Sequence, residues 1–174
     1  MKNPLLAVAL LATISLPISA TAQPLTSLDE FDPELHLNLD GCFDESLSEN
    51  LACLRQAVDT CSGFTGYLGT AGGEYYCSYA AFEIVDAELN RVYPDYLNVA
   101  NQSLYSESGR RGKDLLREAQ RAWVTYRDAM CEITPSLNMI NSGYDAVVDD
   151  CRSRLTLMQM ETLSNELRDF SSRQ

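Results

Sequence analysis

Six cysteines, a single histidine and 25 acidic side chains set the chemistry open to this 174-residue chain. Nucleophilic catalysis needs a serine or cysteine beside a base. The one imidazole, His36, stands in a proline- and acid-bearing stretch, with no second histidine and no cysteine spacing of zinc type, so it reads as an exposed side chain rather than a ligand or base. Glycoside chemistry needs two carboxylates at a set separation. No such pair stands out among so many acids, and Asp149-Asp150 reads as the acidic first turn of the last helix, where the helix dipole favours negative charge. Gly63, Gly66, Gly69, Gly72 and Gly73 crowd one stretch but lack the Lys-Ser or Lys-Thr ending and the preceding strand of a phosphate loop. The residues therefore point to no catalytic, metal-binding or cofactor-binding site, and to a binding protein rather than an enzyme.

The cysteines carry structural chemistry instead. Lys2, the apolar run from Leu5 to Leu16, Pro17 and the triplet Ala20-Thr21-Ala22 form an export signal over residues 1–22 with cleavage after Ala22. The run is too short for a membrane span, and with no cysteine beside the cleavage site no lipid anchor is expected. A periplasmic or secreted protein starting at Gln23 follows. In that oxidising setting Cys42, Cys53, Cys61, Cys77, Cys131 and Cys151 imply three disulfides, with about fifteen possible pairings. Sequential pairing is the simplest. Cys131 closes one predicted helix and Cys151 lies early in the next, so a bridge there would clamp their junction.

Charge narrows the partners. The formal net charge is −12, and it becomes −13 on loss of Lys2, the one charged side chain in the signal. Eight acids and no Lys or Arg lie in 23–50, whereas 110–128 holds six bases (Arg110, Arg111, Lys113, Arg117, Arg121, Arg127) against three acids. Nucleic acid is a poor partner, since the backbone term is repulsive overall. Basic proteins suit the charge better, although acidity also serves plain solubility.

Positioning falls to helices. Residues 23–41 carry Pro24, Pro33 and acids without a period and read as an acidic flexible arm, followed by one domain over 42–174. Ser46-Leu-Ser-Glu49 has the form of a capping box, and Leu47, Leu51, Leu54 and Val58 repeat at helical spacing to about Thr60. The glycine cluster reads as a loop. Phe82, Val85, Leu89, Val92, Tyr93 and Tyr96 form the next stripe, which either kinks at Pro94 or stops before it. Residues 106–112 read as a turn. Leu115, Ala119, Ala122, Tyr126, Ala129 and Ile133 recur at spacings of four and three and predict the core face of an amphipathic helix, widened by Trp123, with Gln120 and Arg127 at its margin. Residues 135–143 read as a connection. Val147, Cys151, Leu155, Met158 and Leu167, broadened by Met160 and Leu163, mark a last helix to about Phe170. With no sustained period-two alternation, the expected fold is all-α: a small disulfide-stapled bundle of three longer helices and one shorter N-terminal helix.

The same stretches carry a resemblance. LREAQRAWVTYRDAMC, preceded by Asp86-Ala87-Glu88-Leu89-Asn90-Arg91-Val92-Tyr93 and followed by Cys151 and Leu155-Thr156, resembles the domain shared by LprI-type lysozyme inhibitors and many unassigned bacterial envelope proteins. It covers roughly 61–167, with Gln159 where many members have Arg. The resemblance implies bridges Cys131–Cys151 and Cys61–Cys77, leaving Cys42–Cys53. The exchange to Cys53–Cys77 with Cys42–Cys61 stays open. It also implies a polar signature of Asp86, Asn90, Tyr93, Gln120, Trp123, Tyr126 and Arg127, which suits an interhelical hydrogen-bond network as well as a binding surface. The implied function is inhibition of a basic lysozyme, with a structural or stress-related role on another envelope protein as the alternative.

Overall fold

The computed structural model describes residues 32–44, 46–64, 70–102, 109–138 and 144–172; the export signal expected over 1–22 and residues 23–31 of the expected arm lie outside them. Among the described residues there are four α-helices: α1 (Leu47–Phe64), α2 (Thr70–Gln102), α3 (Gly112–Asn138) and α4 (Tyr144–Ser172), preceded by a 3-10 turn at Pro33–Leu35. The all-α bundle with one shorter leading helix is as the sequence predicts. No described helix is long and apolar enough to cross a membrane.

Capping starts α1 where the sequence places it. The Ser46 carbonyl accepts the first helical bond from Asn50 N–H at 2.9 Å. Glu49 accepts from both the Ser46 backbone N–H (3.2 Å) and its hydroxyl, and those bonds hold its carboxyl below the usual range. The helix then runs past Thr60 through Gly63, and α2 begins at Thr70, so Gly72 and Gly73 are helical rather than loop. The Cys61–Cys77 bridge (Cα–Cα 6.0 Å) ties the end of α1 to the start of α2, and both sulfurs are fully buried. Packing of this kind outweighs a propensity cost of about 1 kcal/mol per glycine.

The core lies between α1, α2 and α4, where Leu54, Ala57, Ala81, Val85, Leu89, Leu157, Met160 and Leu163 meet. α2 and α4 share the most extensive contact. α2 continues through Pro94, and α3 continues through Pro135 to Asn138 instead of yielding to a connection there. Two further expectations change. Residues 32–41, read as part of an exposed arm, place Leu37 and Leu39 in the core and stack His36 on Phe64 at 4.3 Å between ring centroids. Two apolar side chains two residues apart are too short a signal to show as a period. Asp149-Asp150 is not the first turn of α4, which starts five residues earlier with Asp145 as its acid.

All three bridges are sequential: Cys42–Cys53, Cys61–Cys77 and Cys131–Cys151. The exchanged pairing is therefore excluded.

Candidate functional site

Arg127 lies on the α3 face that meets α2 and α4, and it is 6% exposed. A buried guanidinium is tolerated only when paired and hydrogen-bonded, and this one is supplied from three helices. Its Nη1 donates to Asp86 Oδ1 of α2 at 2.6 Å and to Thr156 Oγ1 of α4 at 3.2 Å, while Nε donates to Asp128 Oδ1 at 3.0 Å. The guanidinium carbon lies 5.1 Å from the ring centroids of both Phe82 and Trp123, within cation–π range. Asn90, one turn beyond Asp86, donates to the second oxygen of that carboxylate at 3.1 Å. The fully buried Thr156 is held in turn by donating to the Arg152 carbonyl at 2.8 Å.

A second guanidinium extends the network. Arg152 Nη1 donates to Asp149 Oδ1 at 3.2 Å, and its Nε lies 3.7 Å from Asp128. Asp149 is 5% exposed. Burial holds its carboxyl above the usual range against the pull of Arg152, with Asp145 and Glu83 pushing the same way.

Of the signature residues, the structure brings Asp86, Asn90, Trp123 and Arg127 together. Gln120 makes a separate interhelical bond, accepting from Gln159 Nε2 at 3.0 Å. Tyr93 is half-buried on α2; burial raises its phenol, against the opposing charge of Arg117 and Arg121. Tyr126 stands apart, 55% exposed. Sequence reasoning missed Phe82, Asp128, Asp149, Arg152 and Thr156 as members. The spacing Asp149, Arg152, Thr156 on one face of α4 was the available signal.

The apolar stripe of α3 expected in the core faces solvent instead over most of its length. Ala119, Ala122, Tyr126, Ala129 and Ile133 are exposed, Ile133 at 51%, and the packed face is Leu116, Gln120, Trp123, Arg127 and Cys131. That face lies about a third of a turn around the helix. It carries two polar residues whose partners sit on other helices, so an apolar count along α3 favours the wrong side. Trp123 itself is half-buried against the core edge. Trp123→Ala is expected to cost about 2 kcal/mol in urea unfolding, below the 3–5 of a fully enclosed ring. A cost within about 0.5 kcal/mol would place the ring in solvent.

The guanidinium groups stay protonated, and Asp86, Asp128 and Asp149 are each hydrogen-bonded to one of them. Among the described residues no group of three His, Cys, Asp or Glu is placed to hold a metal ion. The arrangement clamps three helices and fixes the surface they present.

A family model described as lysozyme inhibitor LprI matches residues 61–163. The match spans the second and third disulfides and every member of the network. No curated protein and no solved structure matches the chain.

Proposed function

We propose that this chain, which belongs to the lysozyme inhibitor LprI family, is a secreted or periplasmic binding protein that blocks a basic muramidase. The family match over 61–163 carries the reading. Three disulfides support an extracytoplasmic setting, and a net charge of −12 suits a cationic enzyme. An inhibitor needs a rigid surface more than reactive groups, because order established before binding is not charged against affinity. The clamp around Arg127 and the disulfides supply that order.

The test is a cell-wall clearing assay with a basic muramidase and the chain starting at Gln23. Inhibition is expected at low salt. It should weaken as ionic strength rises, since opposite net charges speed association and screening removes the advantage. No inhibition at low salt with the chain in large excess removes the reading for that enzyme class and favours a structural role on another envelope protein.

A further inference from the structure

Beside the Cys131–Cys151 bridge, α2, α3 and α4 border an open cleft of about 280 Å³ lined by Tyr75, Glu132, Tyr144, Asp145, Asp149 and Arg152. We propose that this cleft receives an arginine or lysine side chain presented by a basic partner protein. For the partner's identity as a muramidase the proposal rests on the reading above; for the cleft's chemistry it stands on its own lining.

Size comes first. Pockets for drug-sized ligands start at about 300 Å³, so this one fits a single long side chain better than a whole metabolite. Charge selects its sign. Three carboxylates, Glu132, Asp145 and Asp149, face one base, Arg152, which is already committed to Asp149 at 3.2 Å and Asp128 at 3.7 Å. Glu83 of α2 also repels the Asp149 carboxylate.

The walls suit a cation with an apolar stem. Tyr75 and Tyr144 are 38% and 46% exposed, so both rings offer accessible apolar surface at the cleft that an entering side chain can cover. Both are held in place: the Tyr144 hydroxyl donates to the Glu132 carbonyl at 3.0 Å, and Tyr75 packs edge-on against Tyr76 at 5.2 Å. Aromatic faces beside carboxylates recruit guanidinium and ammonium groups, and tyrosine is among the residues that dominate interface energies. Glu132 and Arg152 each directly follow a cysteine of the bridge, so the α3 and α4 walls are fixed relative to one another before binding.

The experiment has two arms, both on the chain starting at Gln23. In the first, N-acetylarginine amide is titrated while the tyrosine side-chain resonances are followed. Saturable shifts are expected at Tyr75 and Tyr144, with affinity falling about tenfold or more in a Glu132→Gln, Asp145→Asn variant. These two positions are exposed, so the fold should persist; an unchanged circular dichroism spectrum and melting temperature check it. No shift at either tyrosine overturns the cleft. The second arm measures muramidase inhibition by a Glu132→Lys, Asp145→Lys variant. Loss of inhibition supports the cleft as the docking point, whereas full inhibition by that variant overturns it and leaves the inhibitor reading standing. A wild-type chain that fails to inhibit but shows the tyrosine shifts overturns the muramidase reading and keeps the cleft as a receptor for another basic protein.

Discussion

Asp86→Ala is expected to lower the stability of the protein by about 3 kcal/mol, more than removal of the arginine it pairs with. The asymmetry follows from burial. The Arg127 side chain is 7% exposed and that of Asp86 33%. Without Asp86 the guanidinium stays trapped among Trp123, Phe82 and Thr156 with only Asp128 to balance it, and breaking a buried pair from that side costs about 3–5 kcal/mol. The retained contact to Asp128 sets the lower end of that range. Arg127→Met replaces the guanidinium by an apolar chain of similar length and leaves Asp86 free to meet water, so its cost should be about 1–2 kcal/mol. Arg127→Lys keeps the charge but cannot reach Asp86, Thr156 and Asp128 from one planar fork. Urea unfolding of the single variants and of the Asp86→Ala, Arg127→Met pair measures this. The pair should recover much of the loss, because the stranded charge is gone. Equal costs for Asp86→Ala and Arg127→Met would show that the pair is as wet as a surface bridge.

Legibility in the sequence differs sharply between the helices and their faces. The Ser46–Glu49 cap, the stripe through Val85 and Leu89, and the sequential disulfides are local features, and each stands where the residues place it. On α3 the period is correct and the face is not. Periodicity shows which residues share a side of a helix, but only the neighbouring helices decide which side is covered. Gln120 and Arg127 stand at the margin of the stripe, and whether they meet water or a buried network is decided only when Gln159 and Asp86 are brought against them from 39 and 41 positions away. The candidate site shows the same limit. Asp86 and Asn90 fall one turn apart and are readable as a pair, whereas Thr156 and Arg152 join only through the packing of α4 on α3. Leu37 and Leu39 are the converse case, two apolar residues in acidic surroundings whose burial depends on chain folding back over the α1–α2 layer.

Removing the Cys131–Cys151 bridge by a Cys131→Ala, Cys151→Ala pair is expected to cost about 3 kcal/mol, from the unfolded-chain entropy released by opening a loop of about 20 residues. The two cysteines are 20 residues apart. For a chain of this size that loss lowers the melting temperature by roughly 6–12 °C, at about 2–4 °C per kcal/mol. Alanine is the appropriate replacement because both sulfurs are buried, Cys131 completely, in a small cluster with Val148 and Leu155, where a serine hydroxyl would add a desolvation cost of its own. A Cys131→Ser single variant would also leave Cys151 as an exchange-prone thiol. Two consequences separate the covalent effect from simple unfolding. Helix content at room temperature should be unchanged, because α3 and α4 still pack through Arg127 and Gln120. The cleft should nevertheless loosen, since Glu132 and Arg152 sit directly beside the missing bridge, and N-acetylarginine amide should bind more weakly than to the intact chain. A pair variant with the same melting temperature as the wild type would show that the bridge adds no constraint beyond the packing. One that is destabilised but binds the arginine probe with unchanged affinity would show that the side-chain clamp alone orders the cleft.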